Sequence, residues 1–176
     1  MKSKLLLVVR SRVARIAVGP STVRGRGNKG AVKAARKFLR KLDLRPFGTT
    51  HAVAFCKALD RSTLRLSKKL PRKARRWGIA RKVINIFLRD ALYTAYLRDA
   101  YKLGRAEAFY ELPLDSITAK HLKQTTWGKR LSRWRGVKYV TPTSSDEYQE
   151  AAKLVALEKR VARVHLDAYW WSASRD

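Results

Sequence analysis

The chain is short of everything that would tie it together covalently or through a metal. Its 176 residues hold one cysteine, Cys56, which excludes an internal disulfide and any cysteine-ligated zinc or iron–sulfur site, and fits a reducing cytoplasm. The three histidines, His51, His121 and His165, are scattered without metal-ligand spacing, so neither a metal nor an organic cofactor is expected. Long apolar runs are missing too. Leu5 to Val9 is followed at once by Arg10, Arg12 and Arg15, too short a run to span a bilayer, and no small-residue cleavage site comes after it. A cytoplasmic protein that avoids membranes and works as a monomer is the expectation. No period-2 alternation is long enough for a sheet, and no internal repeat is present.

Negative charge is the scarcest commodity. Thirteen Asp/Glu face 41 Lys/Arg, leaving a formal net charge of +28. The excess is lopsided: residues 1–80 hold 23 Lys/Arg against only Asp43 and Asp60, while residues 81–176 hold 18 against 11. A domain this basic repels itself unless a polyanion compensates, so nucleic acid is the expected partner and the protein is expected at the nucleoid. The first half looks built to lie on phosphates. The second keeps enough carboxylates for something more specific. At 45% hydrophobic residues the chain can still bury a core, which argues against wholesale disorder.

Periodicity reads as helix nearly throughout, and an all-α single domain over 1–176 is predicted, with basic N-terminal helices and a Gly/Arg loop in 1–48 and the main body in 49–176. Leu5, Val9, Val13 and Ala17 share one helix face, and Gly19-Pro20 ends that pattern. Ser21 to Gly30 interleaves glycines with Arg24, Arg26 and Lys29, either as a solvated linker or as a backbone-contacting loop. Helices are predicted over about 31–42 and 49–70, the second with Val53, Phe55, Leu59, Leu64 and Leu66 as core candidates. Pro71 opens a basic cluster that includes Arg75 and Arg76, and a long helix is predicted from about Ile79 to Leu103. A short helix over 106–110, one beginning at Asp115 or Ser116, and one from about 144–146 to 161 complete the reading.

Two short segments carry candidate chemistry. In Gly78-Ile79-Ala80-Arg81-Lys82, a glycine leads into the long helix, whose first N–H groups form a ready phosphate site. Lys82 then falls near the positive end of the helix dipole, beside Arg81, and both disfavour the ammonium form. That would make Lys82 an amine nucleophile. Otherwise it is one more basic surface residue. In Leu112-Pro113-Leu114-Asp115-Ser116, the aspartate is either a helix N-cap or a carboxylate kept ionised beside an apolar cleft.

Together these segments resemble the helix-hairpin-helix DNA glycosylases, in which a Gly-x-Gly-x-Lys hairpin leads into the helix bearing the catalytic lysine. A later apolar-Pro-apolar-Asp-Thr segment supplies the essential aspartate. Gly78, Ile79 and Lys82 match the first pattern; Pro113, Leu114, Asp115 and Ser116 match the second. The closing segment His165 to Trp171, with Asp167 inside it, is similar to the C-terminal Leu-Asp…Trp stretch of the archaeal glycosylase/lyases of this superfamily, which also separate lysine and aspartate more widely than most members. The sequence departs from the pattern at Ala80, where a second glycine is expected. Arg76-Trp77 stands where Leu-Pro usually opens the hairpin, and the cysteine cluster of the iron–sulfur branch is missing.

The resemblance implies a glycosylase-like helical bundle that flips a damaged or modified base out of double-stranded DNA, in repair or in defence. It implies Lys82 and Asp115 as catalytic residues, with strand cleavage by β-elimination a possible further step. Arg24, Arg26, Lys29, Arg75, Arg76, Gly78 and Arg81 would contact DNA. Trp77, Asn85, Tyr169, Trp170 and Trp171 would surround the flipped base, although aromatics at helical spacing also serve as core and Asn85 as a helix-packing residue. The competing reading is a non-enzymatic basic helical protein binding DNA or structured RNA.

The charge distribution makes a first prediction. If Arg24, Arg26, Lys29, Lys33, Arg36, Lys37 and Arg40 track a duplex and neutralise about six phosphates, log affinity against log salt has a slope near −5. A salt titration giving a slope shallower than about −2 would remove this half of the chain from the backbone.

Overall fold

Helix accounts for most of the chain and no strand occurs among the described residues, so the all-α class holds. The computed structural model describes residues 2–23 and 29–173. In chain order the helices are α1 (Lys2–Ala17), α2 (Lys29–Leu39), α3 (Ala52–Lys69), α4 (Trp77–Tyr93), α5 (Ala95–Ala100), α6 (Ser116–Gln124), α7 (Pro142–Glu158) and α8 (Leu166–Ala173), with short 3₁₀ turns between several of them. None of the described helices is long and apolar enough to cross a membrane.

The apolar residues settle into two clusters that meet where the chain leaves Tyr110. The first gathers Val13, Ala17, Ala31, Ala35 and Leu39 of α1 and α2 around Phe55, Leu59 and Leu66 of α3 and Ile84, Phe87 and Leu88 of α4. The basic N-terminal helices are therefore built into the same core as α3 and α4, and α4 packs against both α1 and α3. Phe55 sits at the centre of an aromatic group, 5.5 Å from Phe47 edge to face and 5.0 Å from Tyr110, whose hydroxyl donates to the Phe47 carbonyl. The second cluster joins Leu112, Leu114, Ala119 and Leu122 to Tyr148, Ala152 and Val155 of α7 and Leu166 and Trp170 of α8.

Within α3 the expected core is corrected in part. Phe55, Leu59 and Leu66 are buried, but Val53 is 67% and Leu64 52% exposed. Their stripe is narrower than the apolar residues alone suggest, because Ser62 and Thr63 also face inward, the Thr63 hydroxyl bonding the Leu59 carbonyl. Leu5, expected on the inner face of α1 with Val13 and Ala17, is exposed as well.

The single long helix predicted from Ile79 to Leu103 is three elements. Thr94 ends α4: its hydroxyl donates to the Asp90 carbonyl at 2.7 Å and its backbone turns extended, with ψ at 100°. The threonine hydroxyl competes for a carbonyl of the preceding turn. Beyond the break, Leu97 of α5 joins the first core.

A proline stop positions the functional region. Pro71 cannot continue α3, and a 3₁₀ turn at Arg72–Ala74 buries Ala74 and returns the chain into α4. Because α4 starts at Trp77, Lys82 lies in its second turn rather than its first. Gly78 is buried there under the segment 137–140 rather than offered to a phosphate, which corrects its expected role in DNA contact. A β-carbon at this position would overlap the Val137 carbonyl oxygen and lie 2.7 Å from the Val140 side chain.

Gly78→Ala therefore forces the 137–140 segment off α4. The expected loss is about 1–3 kcal/mol in urea unfolding. Unchanged stability would mean that this packing is absent in solution.

Candidate functional site

Arg81 explains why the site is built where it is. It points inward from α4, and its Nε and Nη2 donate to both oxygens of Glu111 at 2.8 and 2.7 Å. Its Nη1 donates to Asp60 at 2.7 Å and to Thr63 at 3.2 Å on α3, and the guanidinium lies 5.2 Å from the Trp77 ring centroid. Asn85, one turn on, donates to Glu111 at 2.9 Å. Burial disfavours the Glu111 carboxylate, but Arg81 and Asn85 outweigh it and hold the carboxyl below its usual value. Arg81 was expected on DNA; its guanidinium is committed to Glu111 and Asp60, which corrects that assignment. Asn85 is likewise held by Glu111 and lines only a small crevice beside Lys82.

Glu111 begins the segment that leads to Asp115. Leu112 is fixed at both backbone polar groups by Gln149 of α7, at 3.0 and 2.8 Å. Pro113 and Leu114 then bring Asp115 to the start of α6, where it forms a capping box with Thr118. The two carboxylate oxygens divide the work. Oδ1 accepts from the backbone N–H groups of Ile117 and Thr118 at 2.9 and 3.0 Å, while Oδ2 lies 3.4 Å from Lys82 Nζ. Both side chains are nearly enclosed, 10% exposed for Lys82 and 11% for Asp115. One oxygen thus caps the helix as expected, while the other pairs with Lys82.

Lys82 and Asp115 line the wall of a cavity of about 700 Å³, within the range of ligand pockets. One wall is a stripe along α4, where Ile86, Arg89, Asp90 and Tyr93 follow Lys82 at helical intervals. From Lys82 to Arg89 that stripe runs about 10 Å. The rest of the lining comes from Ser116 and Ile117 of α6, Trp134 and Val137, Asp167 and Trp171 of α8, and the end of α1 with Thr22. At its far end Arg89 is clamped between Asp90 and the fully buried Asp167. Burial pushes the Asp90 carboxyl up, and Arg89 offsets this in part. Among the described residues no three His, Cys, Asp or Glu side chains converge to hold a metal ion.

The remaining expected residues separate. Trp171 lines the cavity. Trp170 is buried in the second core, stacked on His121 with ring centroids 5.4 Å apart, Tyr169 is exposed to solvent, and Trp77 packs under Arg81. None of these three lines the cavity. Arg75 and Arg76 are exposed on the connector before α4. Arg24, Arg26 and the side chain of Lys29 lie outside the described residues. Sequence reasoning missed Arg89, Asp90, Tyr93 and Trp134; the first three were legible as the continuation of the Lys82 stripe, whereas nothing local marked Trp134.

Comparison with protein-family models, with curated proteins and with solved structures gives no match to this chain.

The Arg81–Glu111 pair yields a prediction for stability. Glu111→Gln leaves a buried guanidinium with only the exposed Asp60 as counter-charge, at a cost of about 3 kcal/mol near neutral pH. Since the Glu111 carboxyl is held low in the folded protein, its contribution is present above the ordinary value of about 4.3 and is lost as pH falls below it. Wild type should therefore lose stability on acidification through this range more steeply than Glu111→Gln. Parallel pH profiles in chemical unfolding would show the pair to be immaterial.

Proposed function

We propose that this protein is a DNA glycosylase of the helix-hairpin-helix kind, able to form a covalent intermediate through Lys82. The observation that carries the reading is the approach of Lys82 Nζ to Asp115 Oδ2 at 3.4 Å, nearly enclosed, on the wall of a cavity of about 700 Å³. These are the two residues that the sequence motifs single out, brought together from positions 33 apart. The α3–turn–α4 arrangement that carries Lys82, and the capped helix that carries Asp115, also support a glycosylase-like bundle.

The chemistry follows from that pair. A base turned out of the duplex enters the cavity past Trp134 and Trp171, flat apolar surfaces suited to a nucleobase. Asp115 Oδ2 takes up the proton that the Lys82 ammonium must lose and orients the amine; passing that proton to the departing base restores the carboxylate, which then stabilises positive charge on the sugar. Lys82 Nζ attacks C1′ as the C1′–N bond breaks, and the electron pair leaves with the base, which is then protonated. Opening of the sugar ring gives a Schiff base between Lys82 and C1′, from which loss of a C2′ proton expels the 3′ phosphate and cuts the strand. The charge of +28 and the exposed Arg75 and Arg76 suit a duplex substrate.

The non-enzymatic reading makes Lys82–Asp115 a structural ion pair, and two variants separate the two. Borohydride should trap a protein–DNA adduct on a cognate modified-base duplex, and Lys82→Gln should abolish it with DNA binding nearly intact. Asp115→Asn keeps the cap, so its stability should change by less than about 1 kcal/mol, while base release falls by orders of magnitude. Normal base release by a folded Asp115→Asn protein, or no released base across a panel of modified duplexes, would return both residues to structure.

A further inference from the structure

A second, open groove adjoins the cavity, and its composition differs from that of the pocket. It encloses about 370 Å³ and is lined by Ser116, Lys120, Lys123, Gln124, Arg133 and Trp134. Four of these, Ser116, Lys120, Lys123 and Gln124, form one face of α6 at helical intervals, and Arg133 and Trp134 face them from the following loop. Ser116 and Trp134 line both spaces, so the groove opens beside the carboxylate end of the cavity, where Asp115 immediately precedes Ser116.

The charges differ as sharply. Arg89 in the cavity is neutralised by Asp90 and Asp167, and Lys82 faces Asp115. In the groove, none of Lys120, Lys123 and Arg133 has a carboxylate within ion-pair distance among the described residues, and no carboxylate lines its walls. Three cations on one small groove surface, together with a hydroxyl, an amide and an indole, make a site for a chain of phosphates rather than for one small anion. The indole at the junction can stack on a base beside the one in the pocket.

We infer that this groove holds the phosphodiester backbone of the strand whose base enters the cavity. Lys120, Lys123 and Arg133 lie on consecutive phosphates next to the extruded nucleotide, and Trp134 partitions the two. The inference rests on the reading of the cavity as a base pocket. It also moves part of the DNA interface away from the strongly basic first half of the chain, onto α6 and the loop after it. The strand is then gripped within a few residues of Asp115, so that phosphate contacts fix the register of the sugar against Lys82.

The test uses the full chain and a short duplex carrying one tetrahydrofuran abasic-site analogue, which binds without being consumed. Phosphates on either side of the analogue are replaced one at a time by uncharged methylphosphonates. In wild type, replacement at two or three phosphates on one side should weaken binding. The combined variant Lys120→Ala, Lys123→Ala, Arg133→Ala should bind the unmodified duplex at least about tenfold more weakly, with a salt slope shallower by roughly 2–3. It should also have become insensitive to those same replacements. A control lacking Lys57, Arg61 and Arg65, exposed on α3 and lining neither space, removes the same charge and should keep the wild-type pattern. Wild-type sensitivity in the groove variant, or an affinity loss no greater than the control's, overturns the strand path. If the wild type still releases base and forms the Lys82 adduct, only the groove assignment falls. A groove variant that behaves as expected in a protein with neither base release nor adduct overturns the glycosylase reading and leaves the groove as a backbone site.

Discussion

The bidentate pair between Arg81 and Glu111 is the interaction on which the rest of the structure hangs. It is buried, and it joins α4 to the segment that leaves the first core for the second. Through Asp60 and Thr63 the same guanidinium reaches α3, and through Asn85 it holds the next turn of α4. A charge buried this far needs its partner in place, so the relative position of α4 and residue 111 is tightly specified. Lys82 follows Arg81 directly and Asp115 lies four residues after Glu111. The Lys82–Asp115 ion pair therefore joins the same two segments, with Gln149 fixing Leu112 between residues 111 and 115.

That arrangement also concentrates scarce carboxylates inside a very basic chain. Thirteen carboxylates must serve 41 cations, and the fold spends several of them in a small region: Glu111 and Asp60 on Arg81, Asp115 on Lys82, Asp90 and Asp167 on Arg89. The cavity is thereby nearly neutral within a strongly positive surface. Outside it, Arg75, Arg76, Lys120 and Arg133 are exposed with no carboxylate within ion-pair distance among the described residues, while the cavity wall carries polar and aromatic groups beside its paired charges.

Much of the local structure could be read from the chain, because it depends on neighbours in sequence. Pro71 stops α3, Asp115 caps α6, and Gly19-Pro20 follows the end of α1, each through backbone chemistry acting over a few residues. The errors share a cause. Val53 and Leu64 are apolar and helical, yet which face of α3 is covered depends on α4 and on the Phe47–Tyr110 group, not on α3 itself. Thr94 looks like an ordinary helical residue, yet its hydroxyl bonds the Asp90 carbonyl and its backbone turns extended. Gly78 read as an open backbone site and turned out to be the place where residues 137–140 press on α4.

The sequence by itself determined the helical class, several helix ends such as those at Ala17, Lys69 and Ser116, the sign and asymmetry of the charge, and the candidacy of Lys82 and Asp115. The first three follow from periodicity, capping and composition and the last from two short motifs and the resemblance they carry, none of which needs knowledge of distant residues. Only the tertiary structure decided which carboxylate each cation meets. Arg81 could equally have pointed outward to a phosphate, Asp115 could have been a cap and nothing more, and Trp170 could have faced the cavity in place of Trp171. Burial settles these choices. An enclosed charge must find its counter-charge and a buried ring its packing partner, and both come from segments tens of residues away that only the packed helices bring together.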